Sequence, residues 1–317
     1  MKAIVYKKFG PPDVLHLEEV EKPAPKDSEI LIKVHAASIN SYDWRHLGPD
    51  PFFLRLMGGG LLKPKHRILG ADMAGRVEAV GAKVKQFKPG DDVVGDGGYG
   101  GYAEYACVDQ NKFVLKPAEL TFEEAAAMPM AGLTALQGLR DKGRIQAGQK
   151  VLINGASGGV GTFAVQIAKS FGTEVSGVCR TSKMDLVRSI GADHVVDYSQ
   201  EDVTKIERKY DLIFDVAAFR SVSEYRRILS PQGIYVLAGG SMARIFQSML
   251  ISMTGAKNMK FIGAKVKQED LLVILELMRA GKVRSIVDKC FPLSETAEAF
   301  RYFKEGRTRG KIVITAG

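Results

Sequence analysis

Hydrophobic and polar positions change rhythm part-way along the chain. In the first third, short apolar runs at 2–6, 14–20, 29–38, 75–80, 91–95 and 102–115 predict strands. Turn-forming clusters separate them, among them Gly10-Pro11-Pro12, Pro23-Ala24-Pro25 and Lys88-Pro89-Gly90-Asp91. This is the pattern of a compact, mostly β domain. The stretch 51–62 is apolar yet carries Gly58, Gly59 and Gly60, which suits either a loop near a ligand or a short core helix with a Gly-rich exit.

At Thr121 the rhythm lengthens. Thr121 followed three residues later by Glu124 is a capping box, predicting a helix through roughly residue 141. Apolar strands at 150–154, 174–178, 194–197, 211–216, 234–238 and 260–266 then alternate with helical stretches at 160–171, 183–190 and 221–229. That alternation predicts a doubly wound parallel sheet, an α/β class fold. A helix over 269–279 stops at Gly281, and strands at 284–291 and 311–315 flank a helix begun by Ser294. The tail is expected to rejoin the β domain. The expected boundaries are 1–122 plus 283–317 for the β domain and 123–282 for the inserted sheet domain, with a ligand cleft between them.

Composition narrows the partners. The 317 residues exceed what one core usually supports, and 45% hydrophobic with 26% charged residues describes a globular protein. No run of about eighteen apolar residues occurs and the chain opens on a strand pattern, so a cytoplasmic protein with no membrane partner is expected. Cys107, Cys179 and Cys290 are too few and scattered for a disulfide framework and read as inert core residues. The net charge of +9 favours phosphate-bearing ligands, but the cations form no long run and have no interleaved aromatics, which speaks against nucleic acid.

The strand 150–154 runs into Gly155-Ala156-Ser157-Gly158-Gly159-Val160-Gly161 and then a helix with apolar positions 160, 164, 167, 168 and 171. Strand, glycine turn and helix in that order form a dinucleotide cradle, with main-chain N–H groups of Ala156, Ser157, Gly158, Gly159 and Val160 facing a pyrophosphate. An NAD-preferring site offers a carboxylate at the end of the second strand. Val178-Cys179-Arg180-Thr181-Ser182-Lys183 instead supplies a guanidinium, two hydroxyls and an ammonium, suited to a 2′-phosphate and hence to NADP(H). Ser182 has an alternative role as a helix cap.

Over essentially its whole length the sequence resembles the zinc-free quinone oxidoreductase branch of the medium-chain dehydrogenase/reductase superfamily. The residues that carry the resemblance are Gly148 to Gly161 with Gln166 and Lys169, Leu69-Gly70-Ala71-Asp72 with Gly75 and Val80-Gly81, Phe87-Lys88-Pro89-Gly90-Asp91 with Val93, Gly132-Leu133-Thr134-Ala135 and Gly310-Lys311-Ile312-Val313. It implies a GroES-like β domain with an inserted Rossmann domain. Zinc enzymes of the superfamily carry a cysteine at the Asn40 position and a histidine at the Ala71 position, so the resemblance implies that no metal is held there. His16, His35, His46, His66 and His194 show no paired helical spacing either.

By the same resemblance Asn40 lies beside nicotinamide and substrate, Thr134 near the nicotinamide ribose, and Tyr198 against the adenine. Leu237, Ala238 and Gly239 then belong to the loop passing the nicotinamide, and Arg180, Ser182 and Lys183 to the 2′-phosphate region. Tyr42 falls near the proton-relay hydroxyl of the zinc enzymes and is a candidate acid or a packing residue, while Arg45 stands where related reductases often have a tyrosine. Met242, Ile245, Phe246, Met249, Leu250 and Met253 recur at helical spacing and suit a substrate pocket or ordinary core or dimer packing.

The expected activity is hydride transfer from NADPH to quinones or α,β-unsaturated carbonyls, with Asn40 or Tyr42 stabilising the developing oxyanion. Two other readings stay open: a zinc-independent alcohol or aldehyde reductase, and a non-enzymatic NADPH-binding regulator or nucleic-acid-associated protein. The resemblance also implies a homodimer through the sheet edge near 258–266.

Overall fold

The structure, a computed structural model, describes residues 1–48, 63–239 and 258–316. The apolar stretch 51–62 and the helical spacing over 242–253 lie outside the described residues.

The chain begins with strands β1 (Lys2–Val5), β2 (His16–Glu19) and β3 (Glu29–Ser38) and helix α1 (Ser41–Leu47). Strands β4 (Asp72–Val80), β5 (Asp92–Asp96), β6 (Tyr105–Asp109) and β7 (Phe113–Leu115) follow, then helices α2 (Phe122–Ala126) and α3 (Pro129–Gln137). Next come β8 (Lys150–Asn154), α4 (Gly159–Ser170), β9 (Glu174–Cys179), α5 (Met184–Ser189), β10 (His194–Asp197), β11 (Tyr210–Asp215), α6 (Val222–Arg226), β12 (Leu229–Leu237) and β13 (Met259–Phe261). The chain closes with α7 (Gln268–Arg279), β14 (Val287–Pro292), α8 (Thr296–Lys304) and β15 (Lys311–Thr315).

Two compact units result: Met1–Met130 with Val266–Leu275 and Ser285–Gly317, and Ala131–Lys265 with Glu276–Arg284. These limits differ from the expected 1–122 plus 283–317 for local reasons. Helix α2 packs on β3 and β4, and the Gln268 amide donates to the carbonyls of Phe113 at 2.6 Å and Gln110 at 3.1 Å, which ties the start of α7 to the first unit.

In the first unit a seven-stranded sheet runs β14-β15-β3-β4-β5-β7, with β6 also pairing β3. Its pairs are antiparallel except β14 with β15. Ile30, Ile32, Val34, Met73, Phe113 and Phe300 are buried in one cluster, each large side chain contributing about 1.5–3 kcal/mol by leaving water. The second unit holds a six-stranded, all-parallel sheet in the order β10-β9-β8-β11-β12-β13. Its central strands are apolar on both faces, with Leu152, Ile153, Phe214 and Val236 fully buried, as helices on either side require.

Several expected elements change. The run 102–115 is two strands, because the Asp109 carboxylate accepts the Asn111 N–H and turns the chain through Gln110–Lys112. The helix expected over 121–141 keeps its Thr121–Glu124 capping box but breaks before Pro129, whose ring supplies no N–H and disfavours a helical residue ahead of it. The strand expected at 260–266 is only Met259–Phe261. Cys179 is buried as expected, but Cys107 is half-buried and Cys290, on edge strand β14, is exposed. No helix among the described residues is long and apolar enough to cross a membrane.

Candidate active site

In the second unit, β8 ends in Asn154 and the chain turns at Gly155 with φ +83°. Helix α4 then starts so close to that turn that a Cβ on Gly161 would stand 2.0 Å from the Gly155 carbonyl oxygen. Only glycine fits there. Gly158 precedes the helix in an extended conformation and no side chain caps it, which leaves the first-turn N–H groups and the positive end of the helix dipole for an anion. Ala156 does not contribute as expected: its N–H donates to the Val178 carbonyl at 3.0 Å and its side chain is buried, so it packs the turn. The Gly158 N–H likewise donates to the Gly155 carbonyl at 3.1 Å and closes the turn, which leaves Ser157, Gly159 and Val160 as the remaining cradle residues.

Beside the cradle, Asp215 ends β11. Its buried carboxylate accepts from Asn154 Nδ2 at 2.7 Å, the Tyr235 hydroxyl at 2.7 Å and the Ala218 N–H at 2.8 Å. These bonds resist the upward push of burial on its pKa and fix the loop after β11. There Ala218 adopts φ +54°, and Phe219, 75% exposed, reaches within 6.3 Å of the Tyr198 ring. In the loop expected beside the nicotinamide, the Leu237 side chain is buried, the Ala238 N–H donates to the Asp215 carbonyl, and a Cβ on Gly239 would meet the Val216 carbonyl oxygen at 2.8 Å. Thr134, on α3, is 9% exposed.

At the expected 2′-phosphate region Arg180 and Ser182 are exposed and Lys183 half-buried. Arg180 Nε donates to the Tyr198 hydroxyl at 3.2 Å, which joins the aromatic expected against the adenine to the guanidinium. The end of β9 itself carries no carboxylate, but a neighbouring strand brings one near. Asp197, at the end of β10, pairs in register with Cys179 and brings a carboxylate to the end of β9. It accepts from the Thr181 hydroxyl, from Ser199 Oγ at 2.6 Å and from the Ser199 N–H at 2.9 Å, and the Ser199 and Thr181 hydroxyls hold it below the usual carboxylate range. Its hydrogen-bonding capacity is therefore turned inward, and Thr181 is engaged with it.

The first unit contains a buried polar cluster. Asn40 follows the end of β3 and caps the start of α1, whose Asp43 carboxylate accepts the Asn40 N–H at 2.9 Å and the N–H groups of Gly70 at 3.0 Å and Ala71 at 3.3 Å. Asn40 Nδ2 donates to Asp72 Oδ2 at 2.9 Å, and Lys311 Nζ donates to Asn40 Oδ1. Asp72 also accepts from Ser38 Oγ at 3.2 Å and from the Met130 N–H at 3.0 Å, and lies 3.7 Å from Lys311 Nζ. Burial pushes the Asp72 carboxyl up and the Lys311 ammonium down, and each is the strongest influence opposing the other's shift. Burial raises Asp43 to about 7 despite its three amides, and Asp96 to about 7 with Asp72 nearby.

Tyr42, on α1, is half-buried, and its hydroxyl hydrogen-bonds Tyr99. Burial holds its phenol well above the ordinary range. The His46 ring lies tilted against Tyr42 with centroids 4.1 Å apart, His66 stacks on Tyr99 at 3.9 Å, and burial lowers both imidazoles.

Residues 26–118 match the alcohol dehydrogenase GroES-like domain family, and residues 190–314 the family described as zinc-binding dehydrogenase. A chloroplastic quinone oxidoreductase of Triphysaria versicolor is 33% identical over 99% of this chain and 98% of its own length. The chain belongs to the quinone oxidoreductase branch of the medium-chain dehydrogenase/reductase superfamily. An NADPH-dependent alkenal/one oxidoreductase of Arabidopsis thaliana is 32% identical over 99% of this chain and 79% of its length. Among solved structures, the quinone oxidoreductase from Coxiella burnetii superposes with a TM-score of 0.88 at 30% identity, covering 100% of this chain and 99% of that one.

This superfamily member is thus an oxidoreductase with the GroES-like and Rossmann-like architecture of a pyridine-nucleotide dehydrogenase. Within each unit the expected residues gather: Ser157 to Val160 at one glycine turn, Arg180 with Tyr198 beside another strand end, and Asn40 with Tyr42 at the start of α1. Sequence reasoning missed the partners that hold them. In the sequence Lys311 and Asp72 carry only the family resemblance, Asp43 and Tyr99 belong to no motif that marks a site, and Phe219 has no periodic signal. An Asp three residues after Asn40 was the legible hint, since that spacing suits an N-terminal cap.

Proposed function

We propose that this chain is an NADPH-dependent reductase of quinones or α,β-unsaturated carbonyls that works without zinc. The observation that carries the reading is Asn40. Where the superfamily's zinc enzymes have a thiolate ligand, this chain has a carboxamide already bonded to Lys311 and Asp72. An amide hydrogen-bonds an oxyanion but does not polarise an isolated carbonyl as a Lewis acid does, which favours acceptors that delocalise the incoming charge themselves.

NADPH, when bound, supplies the hydride. The chain's own residues do the rest. Ser157, Gly159 and Val160 and the start of α4 hold the diphosphate, and Arg180, Ser182 and Lys183 hold the 2′-phosphate. Tyr198 and Phe219 flank the adenine. Asn40 Nδ2 donates to the acceptor oxygen as negative charge develops there, and Tyr42, kept neutral by burial, is the candidate acid. Asp197 is the feature that favours some NADH use. Its engagement by Thr181 and Ser199 supports NADPH as the preferred nucleotide.

The test is an acceptor screen with NADPH and NADH in parallel on metal-stripped protein. Steady oxidation of NADPH with a quinone or an enal, and none with simple ketones, is expected. Tight nucleotide binding without turnover on any acceptor would indicate a regulator instead. We further propose a cytoplasmic homodimer joined along β13, the edge strand of the parallel sheet; light scattering and cell fractionation check these points.

A further inference from the structure

An asparagine amide has an acceptor end and a donor end, and a half-turn about its last bond exchanges them. At Asn40 that exchange is blocked. Lys311 Nζ donates to Oδ1, and Nδ2 donates to Asp72 Oδ2 at 2.9 Å. Reversal would set an NH2 against an ammonium and a carbonyl oxygen against a carboxylate. Asn40, Asp72 and Lys311 are 7%, 0% and 3% exposed, so water screens none of this. Asp72 is itself pinned by Ser38 and the Met130 N–H, and Lys311 by its place at the start of β15, with its N–H on the Ile286 carbonyl at 2.8 Å.

The Nδ2 group has a second hydrogen. Its nearest acceptor is the Ser38 carbonyl at 3.5 Å, a distance long enough for a stronger acceptor to displace it. We infer that Lys311 is the positioning residue for Asn40: its ammonium turns the carboxamide oxygen inward and leaves the second Nδ2 hydrogen as the donor offered to the substrate oxygen. The ammonium also draws electron density toward Oδ1, which makes the Nδ2 hydrogens better donors. This rests on the reductase reading above for the substrate, but the hold of Lys311 on Asn40 stands apart from it.

The experiment is a double-mutant cycle on the full chain with NADPH and a quinone: Asn40→Ala, Lys311→Met and the two together. Lys311→Met is expected to lower kcat on the order of tenfold to a hundredfold through misplacement of the donor, with little change in acceptor KM or NADPH Kd. The double variant is expected to be no slower than Asn40→Ala alone, and Lys311→Arg to recover most of the rate. Additive losses, or a loss that falls on NADPH binding instead of kcat, would overturn the inference. Asp72→Asn with Lys311→Met guards against misfolding, because it removes both charges and is expected to show the same kcat loss. A second readout needs no turnover. The Asn40 side-chain 15NH2 signal is expected to exchange slowly in the wild type and rapidly in Lys311→Met, and an unchanged signal would overturn the inference. Absence of wild-type turnover on every acceptor would defeat the reductase reading alone, leaving the amide signal to decide the role of Lys311.

Discussion

The glycine cradle of the parallel-sheet unit and the Asn40 cluster of the β unit are built in opposite ways. The cradle is made of main chain within one short stretch, with Gly155 and Gly161 fitted against each other across a turn. The Asn40 cluster is made of side chains from β3, α1, β4 and β15, joined by bonds such as Lys311 to Asn40 across 271 positions. A site of the first kind tolerates side-chain change but no added Cβ at its close approaches. A site of the second kind tolerates backbone variation but depends on every charge having its partner.

The largest effect is expected from breaking the side-chain site. Asp43→Ala leaves the buried N–H groups of Asn40, Gly70 and Ala71 without their acceptor, a loss of about 3 kcal/mol or more of stability at roughly 1–3 kcal/mol per unsatisfied group. Denaturant unfolding measures it, and a loss below about 1 kcal/mol would mean that water or relaxation replaces the carboxylate. Gly161→Ala is the matching break in the main-chain site. Its methyl would meet the Gly155 carbonyl oxygen, so about 1–3 kcal/mol of destabilisation is expected together with weaker binding of both nucleotides.

Within the nucleotide site, Arg180→Ala separates the two cofactors. Losing a charge-assisted contact of about 1.5–3 kcal/mol should raise the NADPH Kd roughly tenfold or more, leaving NADH nearly unchanged. Phe219→Ala is the control, since the adenine contact proposed for it would be common to both nucleotides, and its loss should weaken both by a few-fold. Equal weakening by Arg180→Ala would remove the 2′-phosphate role.

The smallest effect is one of slope. Asp96 is raised to about 7 in the folded protein, above its value of about 3.9 in an unfolded chain. Between those values the folded state binds the proton and the unfolded state does not, so the contribution of this group to stability is greatest below about pH 4 and falls as pH rises through about 7. Asp96→Asn should flatten the stability profile across that window, as read by thermal unfolding at a series of pH values. An unchanged slope would place the titration elsewhere.

The same contrast explains what was legible in the sequence. The strand, glycine turn and helix of the cradle are contiguous and periodic, so 150–154 and 194–197 emerge with the limits the structure gives them. The cluster around Asn40 was only half visible. Asn40 and Tyr42 stood out by resemblance, but α1 is short and polar, and no periodicity foretells that Lys311 at the far end of the chain folds onto Asn40 or that Asp197 reaches the end of β9. Pairing between strands distant in sequence decides both. The expected helix through roughly 141 overlooked Pro129, which shows how one local rule outranks an otherwise continuous pattern.

Hydride transfer that relies on this chain's own donors with no metal is checked by NADPH oxidation with a quinone before and after exhaustive chelation. Unchanged turnover after chelation, with no gain on adding zinc, is the predicted result; activity that vanishes on chelation and returns with zinc would contradict it.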